Sequence, residues 1–242
     1  MAPAGIGNRV EGMHAVRAAL ASGRVQKLYV ERGRKDLAEV SDLAEAAGIP
    51  IEVVPDARDL ATTDRPQGVV ADCTPIRPVS IDKLSQPGGL IMVLDHLTDP
   101  RNVGAVARSA LAFGATGLVV ANRRSAPLGP LAFKAAAGAL ESIPISVVSS
   151  IGDTIERLKT NEVWTVGLDA RGPTDIADVA VLGESLALVL GEEGTGLSRL
   201  VSERVDVVAS IPIEQGVESL NASVAAAVAL YEASRARAAR RR

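Results

Sequence analysis

Residues 186–232 read LALVLGEEGTGLS and then, after a short interval, VDVVASIPIEQGVESLNASVAAAVALYE. This stretch restricts the rest of the chain most. The apolar run 186–190 has the length and bounds of a buried strand. It stops at Gly191, and a loop with glycines at 191, 194 and 196 follows. A second strand, 205–213, runs into another loop that contains Gly216. Ser219 then sits where an N-cap belongs, and an alanine-rich helix extends to about residue 239. Two glycine loops thus leave the ends of two apolar strands, and in an open α/β sheet that end is where ligands bind. The glycine order is G-x-x-G-x-G, not the dinucleotide fingerprint G-x-G-x-x-G. Glu192 and Glu193 stand inside it, where they repel a pyrophosphate and tolerate a cation. A plain strand-to-helix turn carrying solvated acids gives the same local pattern.

Two further stretches supply context. Residues 94–108 read LDHLTDPRNVGAVAR, and 211–221 read IPIEQGVESLN. Taken with GEEGTGLS, in this order and spacing, they resemble the three motifs of the SpoU/TrmH family, the S-adenosylmethionine-dependent RNA ribose 2′-O-methyltransferases of the SPOUT class. The resemblance covers about residues 90–232. It extends more loosely to EGMHAVRAALASGRVQKLYVE and RPQGVVADC near the N-terminus, which look like the small RNA-binding domain of larger family members.

The remaining pattern is α/β throughout. In the N-terminal part, helices are predicted at 11–22, 37–47 and 56–61, and strands at 25–30, 49–54 and 68–71. After a proline-containing linker, strands are predicted at 90–94, 118–121, 145–148 and 163–168, and helices at 102–113, 131–140 and 151–159. The apolar, β-branched runs suit a parallel sheet covered on both faces. The domain reading is 1–72 for a small ribosomal-protein-like RNA-binding domain, 73–88 for the linker and 89–242 for the methyltransferase domain. The resemblance, not the pattern, implies a deep trefoil knot in the latter.

No apolar run reaches the roughly 18 residues of a membrane span, and the N-terminus lacks a signal-peptide core. A cytoplasmic protein is expected. The single cysteine, Cys73, rules out an intrachain disulfide or a cysteine metal cluster. The net charge of −3 gives no general attraction to RNA, so any basic surface must be local. Arg9, Arg24, Lys27, Arg32, Arg34 and Lys35 are candidates for such a face, and so are the five arginines from 235 to 242.

In the 102–113 helix, Asn102, Ala105 and Arg108 recur every third residue and lie roughly along one face. Arg108 is placed either to fork onto an RNA phosphate or to pair with an acid such as Asp95, with Asp99 as the helix cap. His96 belongs to no motif of the resemblance. The resemblance implies catalytic roles for Arg108, Asn102, Glu193, Ser219 and Asn221, and cofactor contacts through Gly191, Ile211 and Leu220, with no metal. It also implies S-adenosylmethionine as cofactor, RNA (a guanosine of 23S ribosomal RNA) as substrate, and a homodimer packed through small residues Ala222, Ala225, Ala226 and Ala229. A tRNA methyltransferase, an enzyme of ribosomal antibiotic resistance and a non-catalytic ribosome-assembly factor are the alternatives. A Rossmann oxidoreductase is disfavoured by the glycine order.

Overall fold

A computed structural model describes residues 5–192, 194–214 and 219–240. Two compact units are present. One is the chain up to Arg77 together with Pro127–Ser142; the other is Pro78–Ala126 with the chain from Ile143 onward.

The first unit opens with β1 (Arg9–Glu11), α1 (Met13–Ala21), β2 (Val25–Glu31), α2 (Ala38–Ala46), β3 (Ile51–Val54) and β4 (Val69–Cys73). The strands form one sheet in the order β1-β4-β2-β3. The pair β2–β3 is parallel, and β4 runs antiparallel to both β1 and β2. The predicted first helix was two residues too long at its start, because Glu11 belongs to β1. Its carboxylate is fully buried and takes the backbone and side-chain donors of Thr62 and Thr63. Four donors on one carboxylate replace the water it loses.

The second unit contains α3 (Ile81–Leu84), β5 (Leu90–Leu94), α4 (Pro100–Ala112) and β6 (Gly117–Ala121). The chain then contributes α5 (Pro130–Ala136) and α6 (Ala139–Ser142) to the first unit. It returns with β7 (Ile145–Val148), α7 (Ile151–Thr160), β8 (Trp164–Leu168), β9 (Thr174–Asp175), β10 (Leu186–Leu190), α8 (Arg199–Arg204), β11 (Val207–Ser210) and α9 (Ala222–Arg240). The single helix expected at 131–140 is two, because Ala137 and Gly138 adopt φ of 48° and 97°, a left-handed break that ends a helix. Phe133 of α5 is buried. Arg24 holds Glu141 by a forked contact, with Nε 2.7 Å from Oε2, and their side chains are only 13% and 3% exposed.

Seven parallel strands make the second sheet, in the order β7-β6-β5-β10-β8-β11-β9. Every residue of β5, β6 and β10 is buried, which explains their unbroken apolar runs. On one face Ile91, Val93, Ala187 and Val189 pack with Ile151, Ile155 and Leu158 of α7. α9 packs on β10 and α4. Ala222, Ala226 and Ala229 are buried within this chain, so these small residues serve the packing of α9 on its own subunit rather than being left over for a second one.

The basic residues picked out by sequence are mostly engaged. Arg9 pairs with Asp72, Arg24 with Glu141, Lys27 with Glu52, and Arg34 with Asp36. On α9, Arg235 pairs with Glu232 and Arg240 with Glu184, while Arg237 donates to the carbonyls of Gly88 and Glu184. Arg237 and Arg240 thereby hold the helix end to its own unit. Arg241 and Arg242 lie outside the described residues.

Candidate active site

Because all seven strands are parallel, the residues following them emerge at one edge. Asp169 follows β8, Gly191 follows β10 and Ile211 follows β11. Chain order reverses here: β6 and β7 lie to one side of β5, whereas β10 and β8 lie to the other. A crevice is expected along this edge. A cavity of about 560 Å³ opens at the carboxyl ends of β10, β8 and β11, on one side of the switch point, lined among others by Leu190, Gly191, Ile211, Ser219, Leu220 and Asp169. Its size is that of a small-molecule site.

The glycine loop closes on itself. Glu192 and Gly196 exchange backbone hydrogen bonds of 3.0 and 2.9 Å. A Cβ on Gly191 would come within 2.1 Å of the Gly196 carbonyl, and one on Gly196 within 2.5 Å of Asp169 Oδ2. The absent side chains are therefore what let the three backbone segments approach. Burial disfavours the charge of Asp169, but hydrogen bonds from the Arg171 side chain and from the backbone of Arg171 and Leu197 outweigh it. The carboxyl stays below its usual range and is ionised at neutral pH.

Asp95, at the end of β5, ties the first motif to this loop. Its buried carboxylate accepts from Ser198 N at 2.9 Å and lies 2.6 Å from His96 Nδ1, while its own N–H donates to Leu190 O at 2.8 Å. The alternative ion pair between Arg108 and Asp95 is thus absent. Asp99 caps α4, accepting from Arg101 N at 2.8 Å, and Pro100 fills the first turn, where its missing N–H costs nothing.

The first and third motifs meet through two asparagines. Asn221 Nδ2 donates to Asn102 Oδ1 at 3.2 Å, and Asn221 Oδ1 accepts from Ser223 N at 2.9 Å. Asn221, not Ser219, is accordingly the N-cap of α9, and the helix starts at Ala222. Asn102 is nearly buried. Arg108 lies on the exposed side of α4, with no ion pair or hydrogen bond among the described residues.

Of the residues singled out by sequence, Gly191, Ile211, Ser219 and Leu220 share the cavity. Asn102 and Asn221 are joined beside it, and Arg108 stands on α4 outside the cavity wall. Glu193 lies outside the described residues, as does Gly216. Sequence reasoning missed Asp169 and Arg171. Their signal was present: they follow the predicted 163–168 strand at its carboxyl end, where a parallel sheet puts ligand contacts.

The cavity fits S-adenosylmethionine. Leu168, Leu190, Ile211 and Leu220 offer an apolar wall for an adenine ring, and Glu192 supplies negative charge toward a sulfonium or ammonium, while Asp169 is paired with Arg171 of the same lining. No group of three or more His, Cys, Asp or Glu residues is placed to hold a metal among the described residues, and no helix there is long and apolar enough to cross a membrane.

Comparison with known proteins agrees with this geometry. The model of the SpoU rRNA Methylase family matches residues 89–231, and that for RNA 2′-O ribose methyltransferase substrate binding matches 9–79. The 23S rRNA (guanosine-2′-O-)-methyltransferase RlmB of Coxiella burnetii is 37% identical over 94% of this chain and 95% of its own length. A putative TrmH family tRNA/rRNA methyltransferase of Staphylococcus saprophyticus is also 37% identical, with 94% and 95% covered. Among solved structures, the SpoU methyltransferase AviRb of Streptomyces viridochromogenes in complex with AdoMet superposes with a TM-score of 0.82 at 28% identity, covering 96% of this chain and 90% of that one. With both family models matched in sequence, and a cavity of fitting chemistry at the carboxyl edge of its parallel sheet, the chain belongs to the SpoU rRNA methylase family and is an S-adenosylmethionine-dependent RNA 2′-O-methyltransferase.

Proposed function

We propose that the enzyme methylates the ribose 2′-hydroxyl of a guanosine in 23S ribosomal RNA. The main support is the identity to the 23S guanosine enzyme over nearly the whole chain, including the substrate-binding segment. When bound, S-adenosylmethionine supplies an electrophilic methyl carbon on a sulfonium. In this reading, Gly191, Ile211 and Leu220 hold the cofactor through the loop backbone and apolar contact, Glu192 balances its charge, and Asp169, paired with Arg171, offers a further acceptor. Asn221 holds α9 and α4 in register through Asn102, so Ser219 is presented at the cavity edge to orient the ribose. Arg108 carries a guanidinium, which offers donors and no acceptor. It therefore acts as a donor to the RNA phosphate and to the developing 2′-alkoxide, not as the base. Glu193 is assigned with these by motif alone.

The first unit selects the RNA in this account and leaves the cofactor to the second. The C-terminal strand and helix form the trefoil knot, which is in keeping with β10 lying between β5 and β8 and with α9 returning onto α4. The enzyme acts in the cytoplasm as a homodimer. Val224 and Tyr231 of α9 and Leu111 of α4 are 47%, 52% and 38% exposed and offer the apolar contact. Light scattering at micromolar concentration should give twice the chain mass; a monomer removes the dimer from this reading.

The deciding assay is transfer of labelled methyl groups to unmodified 23S ribosomal RNA from a deletion strain, followed by mapping of ribose methylation. One guanosine in 23S RNA should be methylated. Label entering tRNA, or a base rather than a ribose, would overturn the assignment.

A further inference from the structure

The glycine loop has a second side. A separate cavity of about 850 Å³ opens at the carboxyl ends of β5, β6 and β7, lined by His96, Thr98, Arg124, Ser149 and Ser150. Glu192, Thr195 and Gly196 line both cavities, so the loop is the wall between them.

Two backbone strains mark this second cavity. Among the described residues five non-glycine residues have positive φ, and two of them, His96 at 61° and Arg124 at 51°, line it. That conformation is unfavourable for an ordinary side chain and easy for glycine. A strained residue that persists where glycine would serve points to its side chain. The His96 ring is also fixed: Asp95, itself buried and held by Ser198 N–H, takes its Nδ1. Nε2 is left without a partner among the described residues, and so is the whole Arg124 guanidinium. Arg199 adds positive charge at the rim, although Glu203 pairs with it.

We propose that this cavity is a nucleotide subsite for the RNA substrate, holding a nucleotide next to the one that is methylated. His96 offers an oriented ring nitrogen and a flat face to a base, and Arg124 offers a fork to its phosphate. The shared loop then registers the neighbouring nucleotide against the methyl-transfer cavity. The proposal rests on the RNA-methylation reading above and adds residues that determine its sequence context.

Glycine suits both backbone positions. Arg124→Gly should keep the melting temperature and S-adenosylmethionine affinity of the wild type, whereas His96→Gly also takes a 2.6 Å partner from the buried Asp95 carboxylate and should lower the melting temperature. Each should raise KM for unmodified 23S ribosomal RNA at least fivefold with little change in kcat. His96→Asn, which tolerates the left-handed region and can still donate to Asp95, should behave likewise. Carbethoxylation by diethylpyrocarbonate, followed peptide by peptide by mass spectrometry, gives a readout independent of activity: the RNA should protect His96. Free GMP, lacking the chain that anchors it, should protect little. Unchanged KM in all three variants of an enzyme that methylates normally would overturn the proposal, as would His96 reacting equally with and without RNA. Equal protection by GMP would make this a mononucleotide site and overturn the RNA assignment. If the wild type methylates no ribosomal RNA, the functional reading fails instead, and the protection experiment still reports whether RNA occupies the cavity.

Discussion

Gly191→Ala tests whether the path of the glycine loop is what binds the cofactor. The new Cβ would stand 2.1 Å from the Gly196 carbonyl carbon and oxygen and 2.4 Å from Leu197 N, against the 3.4 Å at which ordinary contact begins. These are backbone atoms, so no side chain can swing aside. Either Gly196 and Leu197 move away by about an ångström, stretching the 2.9 and 3.0 Å hydrogen bonds between Gly196 and Glu192, or β10 shifts at its end. Overpacking of this kind costs about 1–3 kcal/mol. If that cost falls on the binding-competent loop, affinity for S-adenosylmethionine drops roughly 10- to 100-fold, since about 1.4 kcal/mol is tenfold. Gly194→Ala is the control. Gly194 has a φ of 80°, and an added methyl there would meet nothing within 4 Å, so alanine adds strain without collision and should weaken binding less than tenfold. Calorimetric titration of both variants, with melting curves to confirm folding, measures the difference. A folded Gly191→Ala enzyme binding within twofold of wild type, or no worse than Gly194→Ala, would refute the reasoning.

Arg108→Ala should slow single-turnover methylation by roughly 10² while melting temperature and cofactor affinity hold, because the side chain is exposed and makes no ion pair among the described residues; Arg108→Lys should restore little. Glu141→Ala should destabilise the first unit by about 1–3 kcal/mol, since the largely buried Arg24 guanidinium loses its carboxylate but keeps the Gly7 and Thr74 carbonyls, as read by denaturant unfolding. Burial pushes the Cys73 thiol up to about 12, so at pH 8 it should resist alkylation until the first unit opens. The pair with Arg157, then Asn161, holds Asp82 down at about 2. A depressed folded-state pKa adds stability that is complete above the ordinary carboxylate range and is lost as pH falls from about 4 toward 2. Asp82→Asn should therefore differ from wild type at neutral pH and converge with it near pH 2 in acid-unfolding curves.

The sequence by itself determined what depends on neighbours a few residues apart. Continuous apolar runs such as 90–94 and 186–190 have the length and bounds of strands buried on both faces, and they are. The glycine spacing with its paired acids disfavoured a dinucleotide loop, and the order of three motifs pointed to the family and its cofactor. The Asp99 cap, one of two alternatives the sequence left open, is present, and the helix expected from 102 starts two residues earlier at Pro100. What only the tertiary structure decided depends on pairings between distant strands. β10 lies between β5 and β8, and that placement sets Asp169, Gly191, Ile211 and Ser219 around one cavity. No local pattern encodes which strands become neighbours, because a buried parallel strand offers the same apolar faces to any partner. For the same reason the sequence left Asp95 free to pair with Arg108, whereas the fold gives it to His96 and Ser198. It also gave no sign that α5 and α6, from the middle of the methyltransferase segment, pack with the N-terminal unit. Charges behave similarly. Arg9, Arg24, Lys27 and Arg34 look like a basic face until the fold brings a carboxylate to each of them, since a charge's partner is set by where the chain folds back, not by its own position in it.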